Sequence, residues 1–115
     1  MGVYIRKTDG TYEESPVVSD ETGNREFDTV YQNTSGYALL VIVTVGFGSG
    51  SSGSITLKIS QDNSTWSSVC SVKRVYYGNR DVLVAVVPKD WYYMLSTDGD
   101  ATEKSIVKWW EVKLY

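Results

Sequence analysis

Between Ser54 and Gln61 the chain alternates, with Ile55, Leu57 and Ile59 on one side and Thr56, Lys58 and Ser60 on the other. That period of two belongs to a strand with one buried face. Less regular runs of the same kind recur, each bounded by Gly, Asn, Asp, Ser or Pro. They predict strands over 27–32, 37–47, 54–61, 66–76, 81–87, 91–96 and 104–115, with turns at 33–36, 62–64, 78–79, 88–90 and 97–100. Residues 48–53 (GSGSSG) read as a flexible loop. The first 26 residues are more polar; Val3 and Ile5 suit a short strand before an Asp9-Gly10 turn, and Pro16 to Ser19 a brief pairing. No stretch keeps the helical period. The pattern predicts an all-β, antiparallel two-sheet β-sandwich, jelly-roll-like, of about seven or eight strands over 27–115, with an arm over 1–26. Short connections predict that chain neighbours pair as hairpins.

Two runs are too apolar for a half-buried strand. In 37–45, Leu39, Val41, Val43 and Val45 share one face, and Ala38, Leu40 and Ile42 the other. In 81–87, Val82, Val84 and Val86 oppose Leu83, Ala85 and Val87. Strands apolar on both faces are covered on both, yet a two-sheet sandwich covers one face of each sheet. The second cover is either the arm over 1–26 or another copy of the chain, and a homo-oligomer is the stronger expectation. Ala38, Leu40, Ile42, Leu83, Ala85 and Val87 are the candidate interface.

The aromatics raise a parallel question. In the last strand Ile106, Lys108, Trp110, Val112 and Leu114 share one face, which places Trp110 in the core and turns Trp109 and Tyr115 outward. A one-residue bulge would invert such an assignment. Tyr77, Trp91, Tyr93, Trp109 and Tyr115 are the candidate surface or ligand-binding aromatics, since such rings offer an apolar body with a polar tip.

Composition narrows the chemistry. The chain has no histidine, so Ser-His-Asp catalysis and most general-base schemes are excluded. Its one cysteine, Cys70, lies mid-strand between Val69 and Val72 and reads as a structural thiol. Carboxylate pairs at Glu13-Glu14, Asp20-Glu21 and Asp98-Asp100 fall in polar segments and read as solvated turn acids, with a calcium site at Asp98-Asp100 a minor alternative. Asn33-Thr34-Ser35 and Asn63-Ser64-Thr65 match the glycosylation sequon, and turn chemistry accounts for both. Net charge is −3 with scattered Lys and Arg, which argues against nucleic acid as a partner. No apolar run is long enough to span a membrane, and the N-terminus carries no apolar signal-peptide core. No cofactor is implied, and the chain reads as a non-enzyme.

Four segments in order resemble small β-sandwich domains of bacteriophage and prophage tail-fibre and tail-tip proteins: TVYQNTSGYALLVIV (29–43), ISQDNSTW (59–66), VAVVPKDWYYML (84–95) and IVKWWEVKLY (106–115). The resemblance runs from about residue 25 to the end. It implies a virion structural protein, non-catalytic and often trimeric, made in the host cytoplasm and acting in particle assembly or host-surface attachment. Its partners would be other copies, other virion proteins and a host receptor or glycan. Departures from that pattern leave open a capsid decoration or head-fibre protein. A carbohydrate-binding module using the exposed aromatics is the rival reading.

Overall fold

A computed structural model describes residues 3–6, 12–15, 17–48, 53–73, 80–98 and 104–114. Among these residues ten strands follow one another: β1 (Val3–Arg6), β2 (Tyr12–Ser15), β3 (Val18–Asp20), β4 (Tyr31–Gln32), β5 (Leu39–Phe47), β6 (Ser54–Ser60), β7 (Ser67–Lys73), β8 (Arg80–Val87), β9 (Tyr92–Asp98) and β10 (Lys104–Lys113). One short 3-10 turn spans Thr22–Asn24. Among the described residues, strands β1 and β2 pair with each other and with no other strand. The rest form two four-stranded antiparallel sheets: sheet I in the order β3-β10-β5-β8, and sheet II in the order β4-β9-β6-β7. The all-β two-sheet sandwich read from the sequence is what the chain forms, and its strand order is that of a jelly roll. No helix among the described residues is long and apolar enough to cross a membrane.

The hairpin expectation needs correction. Within the sandwich only β6 and β7 are both neighbours in the chain and hydrogen-bonded partners. The other connections cross from one sheet to the other, so each strand pairs with one distant in sequence. Chain length between strands does not distinguish a hairpin from a crossing of the sandwich. The strand expected over 27–32 shortens to β4. Asp28 adopts φ 56°, its N–H donates to the Leu95 carbonyl at 2.8 Å, and its carboxylate accepts from the Thr97 N–H and hydroxyl at 2.8 and 2.6 Å. That turn holds 27–28 out of the ladder. The turns expected at Asp9-Gly10 and Gly78-Asn79, and residues 49–52 of the expected loop, lie outside the described residues.

The core lies between the sheets. Leu39, Val41, Val43, Val45 and Phe47 of β5 meet Leu83, Ala85 and Val87 of β8 on one side, and Ile55, Leu57, Tyr93 and Leu95 on the other. Cys70 is half-buried against this core. Trp109 is fully buried. This reverses the face expected for the last strand, because β10 is bulged between Ile106 and Lys108. Ile106 stays on the core side, Val107 is the extra residue, and everything beyond changes face. Just before the bulge Gly46 pairs with Ser105, and a Cβ there would stand 3.0 Å from Ser105 Oγ, so that hydroxyl would have to shift.

Candidate functional site

Sheet I leaves its outer side uncovered by the sandwich. Cα partners across a ladder share a face, so the register gives its side chains in rows. Val18, Val112, Leu40 and Val86 form one row, and Asp20, Trp110, Ile42 and Val84 the next; Lys108, Thr44 and Val82 complete the set. Val18, Val82, Val84 and Val86 keep between 41% and 54% of their surface in solvent. Leu40, Ile42, Trp110 and Val112 are half-buried. The charges among these rows neutralise each other: Lys108 Nζ lies 3.5 Å from Asp20 Oδ2 and 5.6 Å from the centre of the Trp110 ring.

Strand β8 is the longer of the two edge strands of this sheet, the other being the three-residue β3. From Val82 to Val87 it carries neither charge nor proline, and its ladder to β5 runs without a register shift. Soluble proteins normally blunt such an edge. The edge of sheet II does so, because β7 is serine-rich, ends on Lys73 and is bulged opposite Leu57–Lys58. The outward side of sheet II is also more polar, with Thr56 bonded to Ser71 at 2.9 Å and Lys58 opposite Met94.

The residues expected at an interface divide between the two sides of sheet I. Ala38, Leu40 and Ile42 do lie on the outer side of sheet I, half-buried. Leu83, Ala85 and Val87 do not; they are core, paired with Val43, Val41 and Leu39. Val82, Val84 and Val86 take their place outside. A strand that is apolar on both faces carries no signal of which parity points inward.

The aromatic candidates divide similarly. Tyr93 and Trp109 are buried and unavailable to a ligand, while Trp91 is half-buried against the core. Tyr77 and Tyr115 lie outside the described residues. The bulge and the β9 register turn Tyr93 and Trp109 toward Glu111, a residue the sequence did not single out. Glu111 Oε2 accepts from Trp109 Nε1 at 3.0 Å, Tyr93 OH at 2.8 Å and Arg25 Nε at 3.1 Å, and Oε1 accepts from Arg25 Nη2 at 3.2 Å. A carboxylate has about four acceptor positions, so Glu111 is saturated and acts as a structural pin. Burial, then the Glu111 charge, pushes the Tyr93 hydroxyl above the ordinary tyrosine range, so it remains a donor. Arg25 also covers the Tyr31 ring at 4.7 Å, and Tyr31 meets Trp109 edge-on at 6.3 Å. The available signal was an acidic residue directly after two tryptophans inside a strand.

Asn33 is a second buried hub. Its Nδ2 donates toward the carbonyls of Tyr37, Val87 and Pro88 at 2.8, 3.0 and 3.2 Å. Its Oδ1 accepts from the Ser35 hydroxyl at 2.7 Å and the Ser35 N–H at 3.2 Å. The Asn33 N–H donates to the Trp91 carbonyl, and its own carbonyl accepts from Asp90. The segments YQNTSG and VVPKDW, far apart in the chain, therefore meet at one end of the sandwich. Turn chemistry accounts for this sequon, as expected.

At that end, Ile59, Gln61, Asp62, Thr65, Ser67 and Trp91 line a cleft of about 200 Å³ on sheet II. Asp62 Oδ1 organises the β6–β7 turn by accepting from the Ser64 and Thr65 N–H groups at 2.9 and 2.8 Å, with Ser60 Oγ at 3.1 Å. Those bonds, the Thr65 one foremost, hold its carboxyl below the ordinary value of 3.8. Among the described residues there is no grouping of three or more His, Cys, Asp or Glu that could hold a metal ion. Comparison of the chain with protein-family models, curated proteins and solved structures found no match.

Proposed function

We propose that this chain is a non-catalytic structural protein of a virus particle, of the tail-fibre or tail-tip kind, that works by associating through the outer side of sheet I. One observation carries the reading: the apolar rows Val18–Val112–Leu40–Val86 and Trp110–Ile42–Val84 on the outer side of sheet I, of which Val18, Val84 and Val86 are exposed, bordered by the apolar edge of β8. A jelly roll is shared by viral capsid and lectin domains, which favours the reading as a fold-level analogy only. The meeting of two of the tail-protein-like segments at Asn33 gives those residues a joint structural role.

Magnitudes set the character of the association. The four half-exposed valines would contribute about 3–6 kcal/mol on burial, against about 4–15 kcal/mol lost in association. Leu40, Ile42, Trp110 and Val112 must add their share. The contact therefore suits a symmetric assembly in which each copy makes more than one contact. A trimer is the form proposed.

Light scattering over a wide dilution range tests this. A mass near three times the 12.9 kDa of one chain is expected, with Val84→Lys reduced to a monomer. A wild-type monomer at every concentration would refute assembly through this face.

A further inference from the structure

The cleft beside Trp91 is built from sheet II, so association through sheet I leaves it open. Its polar groups are mostly unspent. The Gln61 amide, the Thr65 and Ser67 hydroxyls and the Trp91 indole N–H have no hydrogen-bond partner among the described residues, although all four residues line the same space. Asp62 uses Oδ1 for the turn, and no hydrogen bond to its Oδ2 is formed among the described residues.

We propose that this cleft binds a single neutral pyranose ring. An apolar indole beside uncharged donors and acceptors matches a sugar, which offers a C–H face and a rim of hydroxyls that both donate and accept. The ionised Asp62 disfavours anions, including acidic sugars and phosphates. The volume of about 200 Å³ falls below the ~300 Å³ of sites for drug-sized ligands, so one ring fits and an enclosed oligosaccharide does not. Contact at one face and one rim places the affinity on the order of 1 mM, with strength in use coming from several copies held together. The site does not depend on the assembly reading, because a monomer would carry it equally.

The test follows the Trp91 indole N–H by NMR during titration with D-glucose, D-galactose, D-mannose and N-acetyl-D-glucosamine. At least one sugar should shift it saturably. Gln61→Ala with Ser67→Ala should weaken that binding about tenfold or more. Both residues are exposed and their side chains hold nothing else in place, so the spectrum should otherwise remain that of the folded chain. Asp62→Asn keeps the Oδ1 acceptor and should leave sugar binding within a few-fold. No saturable shift with any of the four sugars would overturn the proposal. So would a response to tetramethylammonium that replaces the sugar response and disappears in Asp62→Asn, since that marks a cation site.

Discussion

Arg25 and Glu111, 86 residues apart in the chain, meet in a two-pronged ion pair, Nε to Oε2 at 3.1 Å and Nη2 to Oε1 at 3.2 Å. The pair ties the segment before β4 to β10, and Tyr93 adds sheet II through its 2.8 Å bond to the same carboxylate. The two partners are not equivalent. Removing Glu111 strands three buried or half-buried donor groups, on Arg25, Tyr93 and Trp109. Removing Arg25 leaves Glu111 two donors. Glu111→Ala should therefore cost about 3–5 kcal/mol and Arg25→Ala about 1–3 kcal/mol. Denaturant unfolding of both variants checks the order; equal losses would mean that Tyr93 and Trp109 find other partners.

Asn33 should be as demanding. Its amide N–H₂ faces three backbone carbonyls in a buried position. Asn33→Ala leaves those acceptors poorly satisfied, at about 2–3 kcal/mol. Asn33→Asp aims a carboxylate oxygen at them and should be worse at neutral pH. Its deficit relative to wild type should shrink near pH 4, where a protonated carboxyl regains one donor. Stability of the three chains at the two pH values decides this.

Acid should destabilise the protein, with little change at higher pH. Asp20, Glu21 and Asp62 are held below their ordinary values of 3.8, 4.5 and 3.8, chiefly by hydrogen bonds from Thr22, Ser19 and Thr65 respectively. In that window the unfolded chain binds more protons than the folded one, so stability rises with pH. The contribution is complete above the unfolded values and is lost as pH falls through the lower folded ones. With no histidine in the chain, no side chain has an ordinary pKa between 5.5 and 7.5. Thermal melts should be flat there and fall below about pH 4.5. A midpoint near pH 6.5 would contradict this account.

Neighbouring residues of β8 should behave as opposites. Leu83 is fully buried and Val84 is 41% exposed. Leu83→Ala should cost about 2–5 kcal/mol, while Val84→Ser should change the stability of a monomer by no more than about 0.5 kcal/mol. If the order reverses in chemical denaturation, the strand is out of register by one residue.

The alternation at Ser54–Ser60, the β-branched runs at 39–47 and 80–87, and the Asn, Asp and Gly turns determined by themselves that this chain is an all-β sandwich, because period and turn chemistry are local properties. They also showed that two strands were too apolar for a single buried face. Partnership was not local. Which strands pair, and that most connections cross between sheets, depends on how two twisted sheets close over one core. Parity was undecidable wherever both faces of a strand were equally apolar, as in β8, or where one extra residue entered the ladder, as at Val107 in β10. That single insertion buried Trp109, exposed part of Trp110 and turned Glu111 inward to Arg25 and Tyr93. Only tertiary packing chose it, because burying Trp109 beside Tyr31 and Tyr93 decides which side of β10 faces the core.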